Sequence, residues 1–174
     1  MKNAYFAGGC FWCLTPFFDA LEGVQQTEAG YCGGDEPSPD YESVKAQRTG
    51  HRETIRVEYD DRAISFETLC KVFLEGVDPF DGEGQFIDRG RSYTLAVYYA
   101  DQEQRDTAAR LCRLLEESAG KPVFVSLEPL KPFWPAEEVH QNYYQKNPES
   151  FARELEASGR AAAGKACPMR KKRF

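Results

Sequence analysis

The stretch Gly8-Gly9-Cys10-Phe11-Trp12-Cys13 joins an apolar run, Asn3 to Ala7, to an amphipathic segment, Leu14 to Val24, and its reading decides the fold. An apolar run closed by glycines predicts a strand over about 4–8 and a tight turn. The segment after it predicts a helix over about 11–21, closed by Gly23. A sulfur at the start of that helix lies near free backbone N–H groups and the positive end of the macrodipole, which favours a thiolate. Cys10 occupies this place, and Gly8 and Gly9 leave it open to attack a substrate. Phe11 and Trp12 form an apolar wall suited to a methyl or thioether group. Cys13, three residues on, comes within reach of Cys10 in a first helical turn. By itself such a C-x-x-C pair is a redox couple, half of a zinc site or coincidence.

Downstream, alternation and turn residues predict a strand over 27–32 and a glycine- and proline-rich loop over 33–40. A half-buried strand follows over 53–59, where Ile55, Val57 and Tyr59 alternate. Ser65 caps a helix that carries Phe66, Leu69, Cys70, Phe73 and Leu74 on one face. A second glycine-rich loop, 78–90, precedes a strand over 93–99, a helix over 101–118 ended by Gly120 and Pro122, a strand over 123–127 and a short helix around 136–144. Strands interleaved with helices predict a single-domain α/β protein, a two-layer α/β sandwich with helices packed on a mixed sheet. Residues 1–150 read as the catalytic unit. Residues 151–174, rich in Ala, Glu and Arg and broken by Gly159 and Gly164, read as an irregular, partly mobile surface tail that carries Cys167.

Composition narrows the function. A chain of 174 residues with net charge −6 lacks the basic surplus of a nucleic-acid binder, and no apolar run approaches the ~20 residues of a membrane helix. The short basic run 169–174 reads as solvated tail. The N-terminus runs straight into a strand without a secretion signal, so a reducing cytoplasm is expected and the six cysteines read as thiols. Cys70 and Cys112 fall on apolar helix faces and read as packing, whereas Cys32 either lies near the site or packs. Cys32, Cys167, His51 and His140 are too scattered to complete a zinc site with Cys10 and Cys13, so no metal and no cofactor are expected.

Taken together, several motifs closely resemble those of the type A peptide methionine sulfoxide reductases. They are Gly9-Cys10-Phe11-Trp12, Gly30-Tyr31-Cys32-Gly33-Gly34, Pro39-Asp40-Tyr41-Glu42-Ser43-Val44, Thr49-Gly50-His51-Arg52-Glu53, Val77-Asp78-Pro79-Phe80, Gln85-Phe86-Ile87-Asp88-Arg89-Gly90 and His140-Gln141-Asn142-Tyr143. The ordered set spans about Ala4 to Pro148. The resemblance implies a ferredoxin-like core and thiol-dependent reduction of methionine S-sulfoxide, in oxidised proteins and as the free amino acid. It implies Cys10 as the nucleophile that becomes a sulfenic acid, and Glu53 as the acid that protonates the sulfoxide oxygen. Tyr41 and Tyr93 then hydrogen-bond that oxygen, Asp88 orders the site, and Phe11 and Trp12 hold the substrate methyl. Cys13 stands where many members have glycine, Thr15 where they have an acidic residue, and Thr94 where an arginine is frequent. No cysteine follows Lys146-Asn147-Pro148.

The chemistry needs this combination. Sulfoxide oxygen is a poor leaving group unless protonated, so a carboxyl with a raised pKa beside a thiolate is the natural pair. The sulfenic acid then condenses with a nearby thiol, and a dithiol such as thioredoxin reduces the disulfide. Cys13 and Cys167 are the candidates for the resolving thiol, with Cys32 or direct reduction as further routes. A monomer is expected. The alternative is a general thiol-disulfide oxidoreductase using Cys10 and Cys13, which leaves Tyr41, Glu53, Asp88 and Tyr93 without a task.

Overall fold

The computed structural model describes residues 1–167; the basic run 169–174 lies outside them. Strand β1 (Lys2–Gly8) leads through Gly9 and Cys10 into helix α1 (Phe11–Asp19), then β2 (Val24–Cys32), the short helix α2 (Tyr41–Lys45), β3 (Arg52–Tyr59) and α3 (Phe66–Gly76). A two-residue hairpin, β4 (Gly84–Gln85) and β5 (Asp88–Arg89), occupies the second glycine-rich loop. Next come β6 (Leu95–Tyr99), α4 (Gln102–Ala119), β7 (Val125–Pro129), β8 (Trp134–Pro135), α5 (Tyr143–Lys146) and α6 (Pro148–Ala157).

The main sheet has the order β7-β6-β1-β3-β2-β8. Its four central strands, β6-β1-β3-β2, pair antiparallel, and with α1 and α3 they form the β-α-β-β-α-β split unit of the ferredoxin-like class. β7 adds to β6 in parallel after α4, which makes the sheet mixed, as the sequence reading expects. Strand parity sorts the residues. Phe6, Tyr31, Ile55, Val57, Leu95 and Val97 join Leu14, Phe18, Leu69, Phe73 and Leu111 of the helices in the principal core. On the opposite face Ala7, Cys32, Ala96 and Tyr98 form a smaller cluster under Tyr5, Leu130 and Phe133.

Local chemistry sets the element ends. The side chain of Asp101 accepts from the Gln104 N–H at 2.8 Å at the start of α4, and Gly120 closes that helix in the left-handed conformation. Ser65 accepts from the Thr68 N–H at 3.1 Å, with the Thr68 hydroxyl 2.9 Å from its own. Tyr93 departs from expectation. It ends a 3₁₀ turn, Arg91–Tyr93, whose Tyr93 N–H is taken by the Gly90 carbonyl at 3.0 Å, so the strand begins only at Leu95.

The end of the chain begins as helix before it turns irregular. The position 150/151 falls inside α6, where Pro148 occupies the first turn and Phe151 is buried beside the Tyr144 ring. The backbone is irregular after Ala157, but the segment does not simply line the surface. Arg160 is completely buried, held by carbonyls of β1 and α3, and that attachment is what a reading of local composition misses.

Candidate active site

Cys10 sits at the junction of β1 and α1, and its carbonyl accepts the Cys13 and Leu14 N–H groups that open the helix. The corner requires Gly9: its φ is +79°, and an added Cβ would lie 2.7 Å from the Gln85 side chain and 2.9 Å from Arg160 Nη2. Gln85, fully buried, fixes that floor by donating to the Asp78 and Gly84 carbonyls and accepting from the Asp78 N–H, at 2.8, 2.9 and 2.8 Å.

Glu53 enters from β3. Parity with Ile55 and Val57 turns its side chain into the principal core face, where it is 2% exposed, and Oε2 accepts the Phe11 N–H at 3.0 Å. That N–H is one of the orphan donors of the α1 terminus, so the acid is anchored one residue from Cys10. Burial pushes the Glu53 carboxyl up to about 8; the Phe11 hydrogen bond opposes this and the nearby Asp88 reinforces it. At neutral pH Glu53 is a carboxylic acid.

The thiols form a hydrogen-bonded pair. The Cys10 thiol is raised well above its ordinary value by its hydrogen bond to Cys13, by burial and by the carboxyls of Glu53 and Asp88. Cys13 is lowered by the same hydrogen bond and, against its own burial, by the positive charge of Arg160. The helix start therefore does not act on Cys10 alone, as the sequence reading has it. Of the two neighbouring thiols, Cys10 is thus held as the weaker acid and Cys13 as the stronger.

Tyr41, at the head of α2, lies 4.2 Å from His140 between ring centroids, and Trp12 stacks on Tyr143 at 3.9 Å. Phe11 lies 6.4 Å from Trp12 and 5.6 Å from His140. These rings pack together as one aromatic cluster on the side of α1 that opens at Cys10. Tyr93 is buried at the end of its 3₁₀ turn. Burial, then the Glu53 charge, raises both phenols far above the ordinary tyrosine range. Asp88, on β5, is raised by burial and partly restrained by Arg160. Cys10, Glu53, Tyr41, Tyr93 and Asp88 thus influence one another electrostatically around one corner, with Phe11, Trp12 and Cys13 beside them.

Cys167 lies elsewhere, its Sγ donating to the Pro16 carbonyl of α1 at 3.4 Å. Among the described residues no group of three or more His, Cys, Asp or Glu side chains is arranged to hold a metal ion, and no helix is long and apolar enough to cross a membrane.

Several contributors have no local signature. Glu137 accepts from the Tyr31 hydroxyl at 3.0 Å and from the Tyr41 N–H at 3.2 Å, so it ties α2 to β2. Gln141 brackets Ala29, accepting from its N–H at 2.9 Å and donating to its carbonyl at 2.8 Å, which seats the His140–Tyr143 segment against the sheet. The motif around His140 marked that segment, but neither clamp was readable from it. Arg160 is the third such residue.

A cysteine at a helix start, beside a buried carboxyl and a cluster of aromatic rings, is the arrangement that a thiol-dependent oxidoreductase calls for. A family model described as peptide methionine sulfoxide reductase matches residues 2–169, and the chain belongs to that family. The peptide methionine sulfoxide reductase MsrA of Halalkalibacterium halodurans is 42% identical over 162 residues, 92% of each chain. The crystal structure of reduced Mxr1 from Saccharomyces cerevisiae superposes with a TM-score of 0.80 at 28% identity, covering 85% of this chain and 86% of that one. Mxr1 in complex with Trx2 matches with a TM-score of 0.56 at 16% identity over 82% and 84% of the two chains, a likeness of fold.

Proposed function

We infer that the chain reduces methionine S-sulfoxide, in oxidised proteins and as the free amino acid, by moving the sulfoxide oxygen onto Cys10. The observation that carries this reading is the buried Glu53, a carboxylic acid at neutral pH, held one residue from Cys10 by the Phe11 N–H. In the reaction the Cys10 sulfur attacks the sulfoxide sulfur, its proton passing to the Cys13 thiolate. Glu53 gives its proton to the sulfoxide oxygen, and the hydroxyl then moves from the methionine sulfur to the Cys10 sulfur as the new sulfur–sulfur bond breaks, so that methionine leaves as the thioether and Cys10 keeps the oxygen as a sulfenic acid. Tyr41 and Tyr93 donate hydrogen bonds to the oxygen as it gains charge; neither phenol oxygen is engaged by another described residue. Phe11 and Trp12 hold the methyl group, and Asp88 orders the surrounding hydrogen bonds.

Cys13 fits the resolving role. Side chains three apart on a helix are neighbours, within the about 4.4–6.8 Å between Cα atoms that a disulfide tolerates. Its sulfur attacks that of Cys10, the hydroxyl leaves as water, and a dithiol of the thioredoxin kind returns the pair to thiols. Cys167 stands by Pro16, six residues and about 9 Å along α1 from Cys10 at about 1.5 Å per residue. It would have to leave its place to compete. The cycle suits a monomer in a reducing cytoplasm, working without nucleic acid, membrane, metal or organic cofactor. We assign residues 1–150 to catalysis and 151–174 to a supporting tail.

Turnover of the separate S and R epimers of a blocked methionine sulfoxide, with dithiothreitol as reductant, tests the reading. Reduction of S alone is expected, and failure on both epimers by folded protein overturns it. Insulin reduction at a rate matching sulfoxide turnover would favour the general oxidoreductase instead.

A further inference from the structure

Arg160 is a cation where a chain rarely keeps one. Its side chain is 0% exposed, and it reaches back 152 residues in sequence to donate from Nη2 to the Gly8 carbonyl at 2.9 Å. Nη1 donates to the Gly76 carbonyl at the end of α3 at 3.0 Å, and the guanidinium lies 4.9 Å above the Phe86 ring. Nε–H has no hydrogen-bond partner, and no carboxylate stands within ion-pair distance among the described residues. Burying a guanidinium without a counter-ion is costly. Two carbonyls alone could be satisfied by a neutral amide. What a neutral amide would not supply is positive charge directly beneath Gly9, where the missing Cβ leaves Nη2 against the backbone of the corner.

We propose that Arg160 is a positioning residue of the reaction: from the far end of the chain its guanidinium places positive charge under the corner that carries Cys10 and Cys13, where it favours the thiolate through which the reaction passes. The proposal rests on the assignment of Cys10 and Cys13 as the reacting pair. No carboxylate among the described residues is in ion-pair contact with Arg160, and its charge acts across the corner on Cys13 and on Asp88. The carboxyls around the pair oppose a thiolate there when they are charged: Asp88 and, once it loses its proton, Glu53 act on Cys10, while Asp88 and Glu154 act on Cys13. Arg160 is the cation acting on Cys13 in the other direction. It thereby keeps Cys13 able to take the Cys10 proton during attack and to act as nucleophile on the sulfenic acid afterwards.

The test is the pH dependence of iodoacetamide alkylation in the full chain, followed for Cys10 and Cys13 individually by tandem mass spectrometry, in the wild type, Arg160→Gln and Arg160→Lys. Gln keeps hydrogen-bond donors and loses the charge. Its alkylation midpoint should rise by about one pH unit or more, with kcat at neutral pH down roughly tenfold and KM within about twofold. Lys should restore most of both. A merely structural Arg160 would lower Tm in the Gln variant and leave the midpoint where it was, and that result overturns the proposal. If neither variant folds, Cys10→Ala decides. There Cys13 has lost its thiol partner but not Arg160, and its midpoint should remain below the about 8.5 of an ordinary thiol; a midpoint at or above that value overturns the proposal. Failure of the underlying assignment looks different: Cys10→Ser would still reduce sulfoxide, whatever the titrations give.

Discussion

The two faces of one sheet end carry the same kinds of residue and put them to opposite uses. On the helix-covered face Glu53 reaches the Phe11 N–H beside Cys10 and influences Tyr93; on the other stand Cys32 and Tyr98, with Arg52, which precedes Glu53 on β3, ion-paired to Glu128. Arg52 makes the difference. It donates to Glu128 and to the Tyr98 hydroxyl at 2.8 and 2.9 Å, and Tyr98 in turn donates to the Cys32 carbonyl at 3.2 Å. Burial pushes Glu128 upward, but the hydrogen bonds from Arg52 and Ser126 outweigh it and hold the group ionised. Cys32 is driven by burial up to about 11 and donates to the Lys131 carbonyl. Every polar group there is spent on its neighbours. Glu53 is buried with one backbone N–H and, among the described residues, no cation in contact, so its carboxyl is pushed up to about 8. Cys10 has beside it a thiol that is the stronger acid of the two. Reactivity here lies in what the neighbours leave unsatisfied.

The sharpest way to break that comparison is to remove one sulfur from each face. Cys10→Ser should abolish sulfoxide reduction to background, a fall of roughly 10⁴-fold or more for a lost nucleophile. Cys32→Ser should leave the rate within about twofold, its cost appearing only in stability. Turnover of the S epimer with dithiothreitol measures both. A Cys32 variant as inactive as the Cys10 variant would mean that the second face takes part in the chemistry.

The carboxyls come next. Glu53→Gln should slow reduction roughly 10²- to 10³-fold, while Glu128→Gln leaves it nearly intact. In the wild type kcat/KM should fall above about pH 8, as Glu53 loses the proton it must donate. The Gln variant should lack that alkaline limb. Stability should move the other way. Unfolded Glu53 ionises near 4.5 and the folded group near 8, so below pH 4.5 both states hold the proton and burial of the acid carries no pH-dependent cost. Between the two values the unfolded chain has released its proton and the folded one has not, so wild-type stability declines with rising pH until about 8. At about 1.4 kcal/mol per pH unit, Glu53→Gln should exceed the wild type at pH 8.5 by no more than roughly 5 kcal/mol, and match it near pH 4. Thermal melts at the two pH values read this directly.

How much of this was legible depends on the range of the contact. The corner could be read because strand, glycines, sulfur and aromatics follow one another within thirteen residues; the two-layer α/β sandwich followed from the order of elements, and the ferredoxin-like core from the resemblance of the motifs. The placing of Glu53 was readable too: with Ile55 and Val57 facing inward, a period of two sends Glu53 in and Arg52 out. The state of the thiols was not. A helix start predicts a thiolate at Cys10, but Cys13 captures the hydrogen bond and Arg160 lowers Cys13, and no local pattern ties residue 160 to residue 8. The irregular tail hid its attachment through Arg160 for the same reason. Its composition suits a solvated surface, yet one arginine anchors it beneath the active corner. Tyr93 was read as strand because the apolar run after it is continuous, and the Gly90 turn that lifts it into the site acts through backbone geometry alone.

The smallest expected effects distinguish the faces by kind rather than by size. Tyr93→Phe removes one hydroxyl from the active face, where its oxygen has no protein partner among the described residues and Glu53 lies near enough to influence it. The ring still packs, so Tm should stay within about one degree. kcat should fall roughly tenfold as one donor to the sulfoxide oxygen is lost, and the Tyr41→Phe, Tyr93→Phe double variant should fall further. Tyr98→Phe removes a hydroxyl that accepts from Arg52 and donates to the Cys32 carbonyl, leaving buried groups without their partner. That should destabilise by about 1–3 kcal/mol and leave kcat within about twofold. Urea unfolding and steady-state turnover on the same two preparations give four numbers. If the substitutions shift stability and rate in the same proportion on both faces, the division between a structural and a reactive face is wrong, because each hydroxyl would then be serving the fold and the chemistry alike.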